Sequence, residues 1–296
     1  MNVLIIGATG YLGTAIDEAV AARGHQTFGV ARSEAARRKL SERGTAVIEA
    51  DIAKPQTLVD PAHDMDVVIY SANITDADNW TVGAEALRAI RKGLAGTEKT
   101  FIYISGAWVY GATGPDAATE NFPLNPPPFV LRRLEHEQLT IDMTRVGIRG
   151  LVIRPGIVYG RGAGIAAMFV QSARERGAAT ILGDGKNRWA TIDVTDLGTL
   201  VALAVERGLP GRAYNAANDD APQMRHIAEA ASRGAGADGA VKLVPQEMMG
   251  AFGDCLALDQ VINSDRAKTD LGWSAVAPTI TQELERGSYL GAPALL

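Results

Sequence analysis

Near its start the chain reads Gly7-Ala8-Thr9-Gly10-Tyr11-Leu12-Gly13, three glycines spaced as in a loop that brings backbone amides to a phosphate. Gly7 permits a tight turn, Gly10 lets the backbone approach a pyrophosphate, and Gly13 lets the following helix pack closely on the preceding strand. A short apolar run, Val3–Ile6, stands before the loop, and a helical pattern, Tyr11–Arg23, follows it. In that setting the free N–H groups and the positive end of the helix dipole face the phosphates. Thr9, Tyr11 and Leu12 fill the other positions of this cradle. Loop and context together predict a dinucleotide site.

The next chemical residues stand at the end of the second apolar run, Val30-Ala31-Arg32-Ser33. A carboxylate there would bond a ribose 2′-hydroxyl, as in sites for NAD(H). Arg32 instead offers a guanidinium that clasps a 2′-phosphate in bidentate fashion, with Ser33 beside it. NADP(H) is therefore the expected cofactor, with NAD(H) as the alternative. Asp51-Ile52 ends the third run, where a carboxylate reaches an adenine amino group, and the turn Ser71-Ala72-Asn73 is placed to line the middle of the cofactor. Each of these also reads as a plain turn or helix cap.

The elements needed to hold such a loop are present. Apolar runs at Val3–Ile6, Gln26–Ala31, Ala46–Ala50, Val67–Tyr70, Phe101–Ser105 and Leu151–Arg154 alternate with helical patterns at Tyr11–Arg23, Ser33–Arg43, Val82–Gly93 and Phe129–Val146. This alternation predicts βαβ units with right-handed crossovers, hence an α/β fold with a doubly wound parallel sheet of Rossmann type. The segment Gly111–Pro128, with its Pro126-Pro127-Pro128 run, breaks the rhythm and predicts an irregular loop beside the site. Beyond Tyr159 the pattern loosens into helices at Ile165–Arg176, Gln223–Ser232 and Val261–Leu271, with one late strand at Ala213–Ala216. Asp193 and Asp196 read as caps of a helix over Leu197–Val205. Residues 1–160, with about 190–218, are expected to form the dinucleotide domain; 161–189 and 219–296 form a smaller C-terminal substrate lobe.

Composition narrows the partners. The 296 residues carry a net charge of −5 with no basic block, which argues against nucleic acid, whose phosphates need clustered Lys and Arg. A single cysteine, Cys255, excludes a disulfide framework within the chain, and the four scattered histidines form no metal-ligand pair. There is no secretory leader pattern and no apolar run near the ~20 residues of a membrane span, so a soluble, cytoplasmic protein without a membrane partner is expected.

Further motifs recur in order: Ser105-Gly106-Ala107-Trp108-Val109-Tyr110-Gly111, Arg154-Pro155-Gly156-Ile157-Val158-Tyr159-Gly160, Gly183-Asp184-Gly185 with Trp189, Asp193-Val194-Thr195-Asp196-Leu197, Tyr214-Asn215-Ala216 and Leu271-Gly272-Trp273. With the glycine loop they make nearly the whole chain resemble the extended or atypical short-chain dehydrogenase/reductases of the NAD(P)-dependent epimerase/dehydratase type. The resemblance adds Pro155, Gly156 and Val158 to the cofactor contacts. It also implies a small-molecule substrate and, by analogy, a homodimer formed through helices beside the site.

Active members of that family use Ser, Tyr and Lys. The Tyr is the acid or base at the substrate oxygen, the Lys lowers its pKa and holds the nicotinamide ribose, and the Ser polarises the carbonyl. Here the corresponding positions read Gly106, Phe129 and Arg133. Phenylalanine has no proton to give, and arginine keeps the charge with a different geometry. The remaining catalytic candidates are Tyr110 and Tyr159 after two strand ends, Ser105 one residue before the family position, and Arg133 as a holder of ribose or of a substrate anion. His136 reads as an exposed helical residue. Trp108, Phe129 and Trp189 are candidate walls for a flat substrate. The favoured reading is an NADP(H)-dependent reductase of a small organic metabolite with a non-standard proton donor. A non-redox isomerase, cyclase, dehydratase or epimerase, and a dinucleotide sensor without catalysis, are the alternatives.

Overall fold

The computed structural model describes residues 1–72 and 77–291. In chain order its strands are β1 (Asn2–Ile6), β2 (Gln26–Ala31), β3 (Ala46–Glu49), β4 (Val67–Tyr70), β5 (Thr100–Ile104), β6 (Arg149–Pro155), β7 (Ile157–Tyr159), β8 (Ala179–Leu182), β9 (Thr191–Asp193), β10 (Ala213–Ala216) and β11 (Val241–Val244). The helices are α1 (Tyr11–Ala22), α2 (Glu34–Glu42), α3 (Val59–Asp64), α4 (Ala77–Leu94), α5 (Arg133–Asp142), α6 (Ala167–Arg176), α7 (Val194–Arg207), α8 (Met224–Gly234), α9 (Gly250–Leu256), α10 (Asp265–Leu271) and α11 (Ile280–Arg286).

Among the described residues seven strands form one sheet in the order β10-β6-β5-β4-β1-β2-β3, every pair parallel. The order reverses beside β1, which is the Rossmann arrangement, and such a reversal opens a crevice at the strands' C-terminal ends. Side chains along each strand divide by parity. Val3, Ile5, Val67, Ile69, Ile102, Ile104, Leu151 and Ile153 pack with Ile16, Val20 and the apolar side of α7. Leu4, Ile6, Val68, Tyr70, Phe101, Tyr103 and Val152 pack on the other face with Leu87, Ile90 and Leu94. Full burial of one such side chain stabilises by about 1.5–3 kcal/mol, which is why the near-continuous apolar runs become central strands.

A second core lies beyond the sheet. The pair β8–β11 and helices α6, α8 and α11 enclose Phe169, Val170, Ile181, Trp189, Ile227, Ile280 and Leu284. Asp193 caps α7 by accepting from the Thr195 N–H at 2.6 Å. Asp196 is not a cap of that helix: its Oδ2 accepts from the Val276 and Ala277 amides, at 2.9 Å each, and holds the C-terminal segment against α7.

Two helices are shorter than their patterns. The stretch expected as one helix over Phe129–Val146 is a 3₁₀ turn at Pro128–Val130, then α5, then a second 3₁₀ turn at Met143–Val146. Pro127 is extended, as the ring of Pro128 requires of the residue before it. The helix expected over Val261–Leu271 begins only at Asp265, because Ile262 bridges to Ala118 of the long loop. That loop, Gly111–Pro128, is otherwise irregular, as its prolines and glycines predict. No helix among the described residues is long and apolar enough to cross a membrane.

Candidate active site

The glycine loop closes as its spacing requires. Gly7 has φ +91°, and a Cβ there would stand 2.8 Å from the Ala72 nitrogen, so the loop lies against the exit of β4. The Gly10 N–H donates to the Gly7 carbonyl at 3.0 Å, and Gly10 begins α1 with no side-chain cap. A Cβ on Gly13 would lie 2.0 Å from the Gly7 oxygen, so helix and strand touch there. Arg43 braces the loop from beneath. Its guanidinium donates to the Ala8 carbonyl at 2.8 Å and to Thr14 Oγ1 at 2.7 Å, and it pairs with buried Asp17 at 3.2 Å. The Tyr11 hydroxyl donates to the Gly160 carbonyl at 2.9 Å, tying the loop to the end of β7.

A cavity of about 810 Å³ runs from this loop across the C-terminal ends of β4, β5 and β6. Gly7, Thr9, Gly10, Tyr11, Leu12, Ser71, Ala72, Pro155, Gly156 and Val158 line one part of it. The other part is walled by Trp80, Trp108, Phe129 and Phe252, with Tyr70, Tyr103, Ser105, Arg133 and His136 among its polar groups. Phe252, from α9, packs against Trp108 at 5.9 Å and Phe129 at 5.8 Å between ring centres.

The polar groups of the second part form a definite pattern. Tyr70 and Tyr103 are neighbours in the β4–β5 register, with ring centres 6.1 Å apart. His136 Nε2 lies 3.2 Å from the Trp80 carbonyl, and its Nδ1 lies 3.2 Å from the Tyr103 hydroxyl. A carbonyl only accepts, so Nε2 carries the proton and Nδ1 accepts from Tyr103. Burial lowers the pKa of His136, which keeps the ring neutral near pH 7. Burial also pushes Tyr103 up to about 12 and raises Tyr70, so both phenols hold their protons. The Tyr70 hydroxyl and Ser105 Oγ are buried and have no hydrogen-bond partner among the described residues. Two unpaired hydroxyls buried beneath a cavity wall are bonding capacity that the fold itself leaves open.

Arg133 opens α5 and extends over the Trp80 ring, 5.8 Å from its centre. A Cβ on Gly106 would stand 3.5 Å from Arg133 Nη1, an ordinary contact distance, so the guanidinium lies beside the Gly106 backbone.

Several sequence candidates do not reach this cavity. The Tyr110 phenol points into the interior, where it donates to Asn215 Oδ1 at 2.7 Å and accepts from Arg154 at 2.9 Å. Arg154 is itself paired with buried Glu137 at 2.6 Å. Tyr159 donates to the Pro278 carbonyl at 2.7 Å and accepts from Asn218 at 2.9 Å. Both hydroxyls are consumed by the fold, which overturns their candidacy as proton donors. Trp189 is not a substrate wall. It stacks on Phe169 at 5.5 Å in the second core and donates to the Leu256 carbonyl at 2.8 Å. His136 is buried, in contrast to the exposed residue its helix position suggested. Gly13 packs behind the loop. Arg32, Ser33, Asp51 and Ile52 gather at the ends of β2 and β3, outside the cavity walls. There Ser33 caps α2, and the mostly exposed Arg32 stands 4.0 Å from Asp51. Asn73 lies outside the described residues.

Tyr70, Tyr103, Trp80 and Phe252 were not anticipated. Parity offered a signal for the two tyrosines: each ends or nearly ends an apolar run one or two residues before a candidate turn, and the runs are neighbours. Nothing local marks Trp80 or Phe252.

The fold and the glycine-loop cavity are those of a nicotinamide-dinucleotide-dependent enzyme of short-chain dehydrogenase/reductase type. The profile of the NAD dependent epimerase/dehydratase family matches residues 3–217, and the chain belongs to that family. A protein of Schizosaccharomyces pombe with no assigned activity is 26% identical over 98% of this chain and all of its own length. The 2-alkyl-3-oxoalkanoate reductase of Stenotrophomonas maltophilia is 23% identical, covering 77% of this chain and 73% of its own. Among solved structures, the dTDP-glucose 4,6-dehydratase of Bacillus anthracis in complex with NAD superposes with a TM-score of 0.81 at 17% identity, covering 97% and 95% of the two chains.

Proposed function

We propose that the protein is an NADP(H)-dependent reductase of a small organic carbonyl compound, with a proton donor other than the family's tyrosine. One observation carries the reading: a single cavity joins the glycine-loop cradle to a floor of protonated phenols and unpaired hydroxyls. The cradle fits a dinucleotide, since Gly7 and Gly13 leave no room for a side chain and Gly10 opens toward the cavity. Gly7, Thr9, Gly10, Tyr11 and Leu12 would hold the pyrophosphate. Ser71, Ala72, Pro155, Gly156 and Val158 would line its nicotinamide half. When bound, the cofactor supplies a hydride to the carbonyl carbon.

The chain's own residues manage the oxygen. Gly106 and Phe129 offer it no O–H, whereas Tyr70 and Ser105 are residues of the cavity wall whose buried hydroxyls no described group bonds. These would donate hydrogen bonds to the oxygen as negative charge develops on it. An alkoxide is a far stronger base than a phenolate, so a buried phenol with a raised pKa still gives up its proton downhill. Tyr70 is the phenol free to do so, and Tyr103, held by His136, stands beside it. The named activity of the Stenotrophomonas relative, reduction of an oxo acid, agrees with this reading.

NADP(H) is favoured by Arg32, whose guanidinium is three-quarters exposed at the end of β2 and makes only a 4.0 Å approach to Asp51. The test is a calorimetric titration with NADPH, NADP⁺, NADH and NAD⁺ of the wild type and Arg32→Ala. NADPH should bind more tightly than NADH. The variant should lose about 10-fold or more of that preference, the worth of one charge-assisted contact of roughly 1.5–3 kcal/mol. Equal affinities in the wild type would remove the NADP(H) assignment. Binding of none of the four would remove the redox reading.

A further inference from the structure

The walls of the cavity carry an asymmetry of charge that the dinucleotide cradle does not use. Among the described residues lining it, Arg133 is the only permanently charged side chain, and there is no carboxylate. No described acceptor or acid pairs with Arg133, whose guanidinium lies over the Trp80 ring. The titratable groups that feel its charge are neutral: Tyr103 on β5 and His136 on α5 through burial, and Cys255 on α9, whose thiol burial pushes up. Glu135, on the same helix, is turned outward to Arg88 at 3.1 Å. A half-buried guanidinium without a counter-charge, beside apolar rings, is set to receive an anion.

We infer that Arg133 anchors a carboxylate of the substrate, and that the substrate is an oxo acid with a flat or aliphatic apolar body. The apolar body follows from Trp80, Trp108, Phe129 and Phe252, which offer faces and edges but few hydrogen bonds. A hydroxyl-rich body such as a sugar would leave its groups unpaired against them. The carboxylate follows from the planar fork of one arginine, which matches two oxygens in one plane. Ser105 and Tyr70 belong to the same cavity, and their buried hydroxyls, bonded by no described group, are the donors left over for the remaining oxygen of the substrate. This inference rests on the reductase reading for the word substrate, but the anion site itself stands on the geometry.

The experiment titrates the full-length protein, with and without NADPH, with benzoate and with its neutral isostere benzamide. Benzoate should bind at least about 10-fold more tightly than benzamide. Arg133→Gln should remove that discrimination, Arg133→Lys should keep part of it, and dinucleotide affinity should stay within about twofold in both. Thermal melts establish that the variants are folded. Equal binding of the two probes by the wild type overturns the proposal. So does an Arg133→Gln variant that loses dinucleotide affinity as much as benzoate affinity, since Arg133 would then hold the cofactor. Discrimination that persists in a protein binding no dinucleotide leaves the anion site in place and removes the reductase reading instead.

Discussion

Gly10 and Gly13 are three residues apart, yet their replacement by alanine should act mainly on different properties, ligand affinity at Gly10 and stability at Gly13. In the Gly13→Ala variant the new methyl falls 2.0 Å from the Gly7 oxygen, 2.7 Å from the Gly7 carbonyl carbon and 2.9 Å from the Ala8 Cα. All three are backbone atoms, so relief requires loop and helix to part by roughly 1.4 Å, the shortfall from ordinary contact near 3.4 Å. Overpacking of this kind costs about 1–3 kcal/mol, at the upper end here because no side chain can rotate away. The better helix propensity of alanine returns at most about 1 kcal/mol, leaving a net loss near 2 kcal/mol. In Gly10→Ala the methyl meets only the Gly7 oxygen, at 3.3 Å, and the backbone at φ −81° suits any residue. The fold should lose about 0.5–1 kcal/mol there, the difference between glycine and alanine at an N-cap. Its methyl nevertheless occupies the surface that the pyrophosphate must approach, a penalty of about 1–3 kcal/mol, or roughly 5- to 160-fold in Kd.

Urea denaturation and dinucleotide calorimetry on both variants read the two effects separately. Gly10→Ala should keep its midpoint nearly unchanged and lose affinity, and Gly13→Ala should lose both. A Gly10→Ala protein that binds all four nicotinamide dinucleotides like wild type would refute the assignment of the loop. A Gly13→Ala protein as stable as wild type would refute the contact geometry on which the argument rests.

Two further outcomes follow from the buried polar groups. Tyr110→Phe strands a bond from Arg154 and one to Asn215, so it should destabilise by about 2–4 kcal/mol in urea while leaving dinucleotide and benzoate affinities within about twofold; unchanged stability with lost binding would return Tyr110 to the site. His136 has a folded-state pKa below its unfolded value, so its contribution is present above about pH 6.5 and is lost as pH falls through the folded pKa. Between about pH 7.5 and 5.5 the wild type should lose more stability than His136→Gln, by at most about 1.4 kcal/mol. Parallel pH profiles for the two proteins would show that the ring titrates freely and that its bonds to Tyr103 and Trp80 are not maintained.

Periodicity and local chemistry determined much of this protein before any tertiary contact. Alternating apolar runs and helical stretches dictated the parallel sheet, because a strand buried on both faces must be apolar throughout and a parallel connection needs a crossover. The glycine loop was legible because its turn and its helix packing are set within seven consecutive residues, where the Gly10 N–H meets the Gly7 carbonyl and Gly13 lies against Gly7, although the close approach of Gly7 to Ala72 comes from the neighbouring strand. Which residues stand at Gly106, Phe129 and Arg133, where the family resemblance leads one to expect Ser, Tyr and Lys, is likewise a matter of sequence alone.

The direction in which a polar side chain points was settled only by the tertiary structure. Tyr110 and Tyr159 stand beside strand ends, as site residues do, yet Arg154, Asn215, Asn218 and Pro278 draw both hydroxyls into the interior from distant positions. His136 became a buried acceptor because α5 starts late, after the proline turn, and sets its ring between Tyr103 on β5 and the Trp80 carbonyl on α4. Phe252 closes the aromatic wall from α9, more than a hundred residues from Phe129 in sequence. Local sequence can specify a turn or a strand, because the forces involved act between neighbours along the chain. A cavity is defined by groups that meet only when the chain has folded, and its chemistry belongs to that meeting.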